Sequence, residues 1–481
     1  MTVPKSMESH SPSSSSSFLS EFQDAVQRTQ MTAEVRAWAG LGIGALALAG
    51  VFALLLAISR VPGIESTFPW PIGFFEKGLV IHVVFSFVVW FLAVFGALAC
   101  AVTALATAGG QLKLAALGRP SIILAYAGSL LMAVPGFLDR GEASLNNYVP
   151  VIIDPLYYAG LLAFTAALVL VIIRFAANFS YRRQMAGPFI EAVAAGCIIF
   201  IAALACFVLA YVPRMADVVD ARFNEDVFWG GGHALQYLNT TLMLSGWYVL
   251  CHITMDKPPV PRGLLRLVLR LCVLPVIIMP LLYVMFDPES GDLRQFFTDL
   301  QYLLAPPVVV MGVALGVMFR NRPAGDRLPW EDIGFQCLFL SLMTFAIGGY
   351  LGLFVDGTDT RTPAHYHAVI AAVNLVFMGL FLRFLLPIAG RPVAMGRAAR
   401  VLVWLYAVGQ MVASVGLFLA GGYGAPRKTA GDAQGLEDVG AIAGLYMNGV
   451  GAAIAVIGGI MFIWICARAL LRRQSGSMNK P

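Results

Sequence analysis

The chain has 481 residues, of which 59% are hydrophobic and 12% charged, and it carries a formal net charge of +5. Soluble domains hold about 25% charged and about 45–50% apolar residues, so these numbers exclude a water-soluble fold, and with it disorder, collagen and a coiled coil. A polytopic membrane protein remains, and so small a positive balance calls for no nucleic-acid partner.

The first 36 residues are polar and include a serine run from Ser13 to Ser17. They read as a disordered cytoplasmic tail, without the basic start and short apolar core of a signal peptide. Twelve apolar stretches follow, each with the ~20 residues a bilayer requires. They cover 37–58, 79–108, 119–137, 153–176, 188–213, 228–252, 263–286, 298–320, 332–355, 364–388, 399–421 and 440–468. The alternation of barrel strands is absent, so the fold class is all-α. No Gly/Ser-rich or Pro-rich linker interrupts the series. Residues 37–468 thus read as one membrane domain, and 469–481 as a second cytoplasmic tail.

With the N-terminus inside, 23 of the 32 Lys and Arg residues fall on the inner side and 9 on the outer. The positive-inside rule then puts both termini in the cytoplasm, as in a bacterial inner-membrane protein. Seven cysteines, Cys100, Cys197, Cys206, Cys251, Cys272, Cys337 and Cys466, lie in or beside apolar stretches, and none makes a CxxC or CxxCH spacing. A zinc ribbon, an iron–sulfur cluster and a covalently attached c-type haem have no support, and the thiols read as packing residues.

The six histidines are distributed unevenly. His10 is in the tail, and His252 closes span six at its inner end as a snorkelling side chain. His82 opens span two, His233 opens span six, and His365 with His367 open span ten. Even-numbered spans start at the outer face, so these four share one depth near that face. Ionisable residues inside a bilayer mark functional sites, and imidazoles from three helices at one depth suit haem iron or copper. In His365-Tyr366-His367 the two rings are about 200° apart on a helix. They cannot share a metal, but they can serve two haems flanking the helix, with His82 as second axial ligand to one of them. A twelve-span secondary transporter matches the topology equally well but has no use for this clustering.

This constellation resembles subunit I of the haem–copper oxidase superfamily, the cytochrome c oxidase subunit I-like proteins and nitric oxide reductases. Twelve helices, internal termini, and histidines on helices two, six and ten are shared. The segment PAHYHAVIAAVNLVFMGLFLRFLLP, Pro363 to Pro387, is similar to the family's helix-ten signature. The resemblance implies that His365 binds a high-spin haem at the catalytic site, and that His367 and His82 bind a low-spin haem. FWGGGHALQYL, Phe228 to Leu238, is similar to the helix-six motif, with His233 as copper ligand and Tyr237 as the cross-linked tyrosine. LNNYVPVIIDPLYYAGL, Leu145 to Leu161, and YGAPRK, Tyr423 to Lys428, also resemble family segments. Arg427 and Lys428 would pair with haem propionates, a sound use of two cations.

Two departures stand against this. The family's helix-seven His-His pair is missing from LLYVMFDPESGDLRQFF, Leu281 to Phe297. His233 is then at most a copper remnant, since copper takes three or more ligands, and copper is doubtful. Asp287 and Glu289 lie at a suitable depth for a hard metal but read better as a solvated turn. Leu235 stands where some members have a helix-six glutamate, and no carboxylate sits mid-span. Tyr237, Asn239, Thr240, Thr241 and Ser245 offer a hydroxyl path or interhelical packing. The resemblance implies a dihaem subunit that takes electrons from cytochrome c or a copper-bearing subunit II-like partner and reduces oxygen. Alternatives of the same fold are electron transfer without oxygen reduction, gas sensing, copper or haem assembly, and a nitric oxide reductase-like enzyme.

Overall fold

The computed structural model describes residues 14–59, 72–107, 110–179, 187–287, 290–323, 325, 327–355, 357–429 and 434–472. Fifteen helices are labelled here in chain order. They are α1 (Ser14–Arg28), α2 (Thr32–Ser59), α3 (Ile72–Val83), α4 (Trp90–Ala106), α5 (Gly118–Phe137), α6 (Pro155–Asn178), α7 (Pro188–Tyr211) and α8 (Ala221–Met255). They continue as α9 (Arg262–Met285), α10 (Gly291–Leu300), α11 (Ala305–Arg320), α12 (Ile333–Gly352), α13 (Arg361–Leu380), α14 (Arg397–Gly422) and α15 (Val439–Leu471). A hairpin of β1 (Glu142–Ser144) and β2 (Val151–Ile153) joins α5 to α6 and pairs Ala143 with Ile152.

Among the described residues, eleven helical segments are long and apolar enough to cross a membrane. The remaining expected span is α8, which is 35 residues long. It buries His233, Tyr237, Asn239, Thr240, Thr241 and Ser245, and these polar groups lower its apolarity. The expected twelve-helix bundle is therefore present.

Close packing follows from residue size. Gly409 and Gly416 on α14 face Gly444, Gly451 and Gly458 on α15, with the backbones in direct contact; a Cβ on Gly416 would lie 2.5 Å from Asn448 N. Gly128 and Gly160 bring α5 and α6 together in the same way. Without a hydrophobic drive between helices in lipid, small residues and buried hydrogen bonds set the partners. Trp90 Nε1 donates to Asn374 Oδ1 at 2.8 Å, and Asn374 Nδ2 donates to Tyr406 at 2.8 Å. Trp247 Nε1 donates to Ser341 Oγ, which donates to Ala372 O, each at 2.8 Å. These bonds make α13 the central post, tied to α4, α12 and α14.

Several expectations change. The segment read as a disordered tail contains α1, in which Phe22, Ala25 and Val26 are buried. Its apolar residues recur every three or four positions, so one face docks on the bundle despite the serine run. His252 packs its ring against Phe18 of α1, with centroids 4.9 Å apart, so this neighbour covers the residue read as snorkelling. Span two begins at Ile72, well before 79, which leaves His82 about three turns inside it. Span eight starts with the separate helix α10 where a plain loop was expected. Polar Arg294, Gln295 and Asp299 hide its apolar face from a hydropathy count. His10 and Glu289 lie outside the described residues.

Candidate functional site

Helix-to-helix contacts set the height of each histidine. α4 meets α13 at the Trp90–Asn374 hydrogen bond and at Phe91–Phe377, ring centroids 5.1 Å apart. His82 precedes Trp90 by eight residues, and His367 precedes Asn374 by seven. At about 1.5 Å per residue, both lie roughly 10–12 Å from that contact, toward the same end. α8 meets α13 where Gly246 accepts Val376. His233 is thirteen residues before Gly246, and His365 eleven before Val376. All four histidines therefore share one level, as expected. A π-helical turn, Val84–Val89, follows His82, and another, Phe381–Leu385, ends the α13 span. Such turns break helical register and recur at functional sites.

Three of the rings share one feature. His82 Nδ1–H donates to Ala49 O of α2 at 3.0 Å, and His365 Nδ1–H to Gly348 O of α12 at 2.7 Å. His233 Nδ1–H donates to Trp229 O at 2.8 Å, within its own helix. A carbonyl only accepts, so Nδ1 carries the proton and Nε2 the lone pair in each neutral ring. Metal-bound histidines show this arrangement, in which the second nitrogen fixes ring and tautomer. Gly352 gives His365 its room, because a Cβ there would stand 2.6 Å from His365 Nδ1. The chemistry of His82 and His365 thus fits iron ligation in haem, with His367 at the same level on α13.

His233 differs at its second nitrogen. The Tyr148 hydroxyl donates to Nε2 at 2.9 Å. The ring is wholly buried, with the rings of Tyr148 at 4.3 Å, Trp229 at 4.9 Å and Phe297 at 5.7 Å. Gln301 also donates to the His233 carbonyl, at 3.2 Å. Among the described residues, no three His, Cys, Asp or Glu side chains come together to hold a metal. Asp287 is exposed on its turn, as the solvated-loop reading expected. The donor set does not fit copper. Tyr237 shares the face of His233 that α10 covers, but its hydroxyl donates to Leu300 O. Ser245 donates to Thr241 O at 2.5 Å, so these two hydroxyl protons end on backbone carbonyls.

Tyr148, which the sequence reading did not single out, sits at the tip of the β1–β2 hairpin. Asn146 builds the turn, accepting from the Tyr148 and Val149 amides at 3.3 and 2.9 Å and donating to Val149 O at 2.5 Å. Asn147 donates to Glu225 on α8 at 2.7 Å. The loop carrying Arg427 and Lys428 closes over the same hairpin. Lys428 donates to Leu145 O at 2.5 Å and to Asn147 Oδ1 at 3.2 Å, and Arg427 to Asn147 Oδ1 at 3.3 Å. Thr360 N donates to Ala425 O at 3.0 Å, which anchors this loop to the start of the histidine-bearing α13. Burial, and secondarily the neighbouring Arg427 charge, pull the Lys428 ammonium below its ordinary pKa. Both cations therefore stand at the histidine end, and Lys428 is costly to keep charged there, a cost that the Glu225 charge partly offsets.

Residues 35–461 match the family described as cytochrome c and quinol oxidase polypeptide I. A Rickettsia prowazekii protein described as uncharacterised is 22% identical over 90% of this chain and 95% of its own length. Cytochrome c oxidase subunit 1 of Thermus thermophilus is 26% identical over 46% of this chain and 43% of its own length. A heme-copper terminal oxidase dimer solved by cryo-EM superposes with a TM-score of 0.75 at 16% identity, over 92% of this chain and 84% of that one. A twelve-helix bundle with histidines level on helices two, six and ten, matched along nearly its whole length, belongs to the cytochrome c and quinol oxidase polypeptide I family.

Proposed function

We propose that this membrane protein holds two haems and moves electrons between them as an oxidoreductase subunit. In this reading His82 and His367 would hold the iron of one haem and His365 that of a second, while Arg427 and Lys428 would receive haem propionates. Haem held in these ways supplies one-electron transfer and, where a coordination position stays open, binding of a diatomic gas. The protein's residues do the orienting. Ala49 O and Gly348 O fix the ring orientation and the tautomer of His82 and His365. Trp90, Phe91, Phe377 and Phe381 pack the bundle beneath His82 and His367.

The observation that carries the reading is the pair of Nδ1–H bonds, at equal depth, from His82 of α3 and His365 of α13 to carbonyls of neighbouring helices. Oxygen is the acceptor we assign to the His365 side. The donor is cytochrome c or a copper-bearing subunit II-like partner at the histidine end. We assign that end to the outer side, on the distribution of Lys and Arg along the chain. The test is a visible spectrum of purified protein with haem and metal analysis, followed by carbon monoxide addition and oxygen consumption. Two haems per chain, one responsive to carbon monoxide, are expected. Protein purified without haem refutes the proposal.

A second reading draws on His233, both of whose ring nitrogens are engaged. It is a dihaem protein of the same fold without oxygen reduction, serving electron transfer, gas sensing or cofactor assembly. Haem spectra with no consumption of oxygen or nitric oxide select it.

A further inference from the structure

The run Gly230-Gly231-Gly232 in front of His233 has a steric purpose. A Cβ on Gly230 would strike Phe297 and the Tyr283 hydroxyl, one on Gly231 would strike Phe207, and one on Gly232 would strike Tyr148. Four aromatic side chains thus close on this stretch of α8 because three consecutive residues lack side chains. The Tyr148 ring is held from several directions. Asn146 shapes its turn, Asn147 pins the hairpin to Glu225, and Lys428 grips the hairpin backbone. On the opposite side, Arg294 and Arg214 both pair with Asp226, which ties α10 and its buried Phe297 to α8. A residue needed only to fill space would not require such exact aim of its hydroxyl at a nitrogen.

We propose that the His233 pocket works without a metal and that the Tyr148 hydroxyl, seated on His233 Nε2, is its functional polar group. The ring has no nitrogen left for a metal, because Nδ1–H is spent on Trp229 O and Nε2 on Tyr148. The phenol also borders a cavity of about 10 Å³, room for one water, whose other polar walls are Gln236 and Asn239. Burial raises the phenol's pKa, with the Glu225 charge adding to the rise, so it stays a neutral donor at ordinary pH. Tyr148 therefore joins a mostly apolar, water-sized space, with Gln236 and Asn239 in its wall, to the imidazole as a proton-carrying group where relatives would need a metal. The metal-free pocket stands on this geometry alone. Only its service to a gas-binding haem rests on the function proposed above.

Two measurements test this without requiring turnover. In the first, copper(I) is titrated against a competing chelator into wild type, His233→Ala and Tyr148→Phe. Wild type is expected to retain no more copper than His233→Ala. One copper per chain in wild type, lost in His233→Ala, overturns the proposal. In the second, isotope-edited infrared spectra of ring-labelled tyrosine identify the Tyr148 C–O band as the one missing from Tyr148→Phe. That band is expected to shift in His233→Ala, and an unchanged band overturns the proposal. If His233→Ala does not fold, ¹⁵N-histidine resonances replace it. The Nε2 signal of one neutral, Nδ1-protonated ring must change in Tyr148→Phe, which removes only an oxygen, and its constancy overturns the proposal. Haem-free wild type with the expected tyrosine shift would reject the dihaem function and leave this pocket standing.

Discussion

His82 on α3 and His365 on α13, and His233 in its pocket on α8, present the same side chain at the same depth, yet the fold bonds it differently. For His82 and His365 each Nδ1–H reaches across to a carbonyl of another helix, so the bundle fixes the ring. On the α8 side the ring bonds its own helix at Trp229 and is capped by Tyr148 from a loop. The first arrangement fixes ring and tautomer from a neighbouring helix. The second engages both ring nitrogens. That difference is the one on which the proposed function separates the histidines assigned to haem from His233.

The sharpest way to break the comparison is at the low-spin pair. His82→Ala is expected to abolish the narrow reduced α-band of a six-coordinate haem while leaving high-spin haem in place. An unaltered low-spin spectrum would remove His82 from the ligating class. His365→Ala is expected to abolish the carbon monoxide shift of the reduced protein. If wild type itself shows no such shift, the open haem assigned to His365 is absent. His233→Ala, by contrast, should keep both signals, because its ring is committed to Tyr148.

Much of this contrast could be read in the chain and part could not. The twelve spans follow from apolar length, and the level histidines follow from counting along helices. The two-residue spacing of His365 and His367 already forced their rings apart. Tyr148 stayed hidden because it reaches His233 from 85 residues away through a hairpin tip whose aim depends on Asn146 and Lys428. No periodicity encodes such a contact. The glycine run beside His233 was the available clue, since three Cβ-less residues imply neighbours at close range. Helix α10 was missed because Arg294, Gln295 and Asp299 outweigh buried Leu293 and Phe297 in a hydropathy count.

A smaller effect separates the two regions by packing. Gly232→Ala puts a methyl group into the Tyr148 side chain, and overpacking of this kind costs about 1–3 kcal/mol. The expected result is a lower melting temperature together with loss of the Tyr148–His233 infrared signature. The α13 haem bands should be unchanged, since Gly232 faces the hairpin. Loss of those bands as well would mean that the two regions are one coupled unit.

The smallest effect concerns how α10 is held over His233. Arg294 pairs with Asp226, but the arginine side chain is 41% exposed, whereas Phe297 on the same helix is fully buried. An ion pair with one exposed partner contributes about 0–1 kcal/mol. Asp226 also keeps Arg214 at 3.5 Å when Arg294 is removed, so Arg294→Ala leaves no uncompensated buried charge. The Trp229 Nε1–H bond to Arg294 survives too, because its acceptor is the backbone carbonyl. Arg294→Ala should therefore lower the melting temperature only slightly and leave the Tyr148 band in place. A large loss of stability, or a freed Tyr148, would show that charge and not the apolar face of α10 closes the His233 pocket.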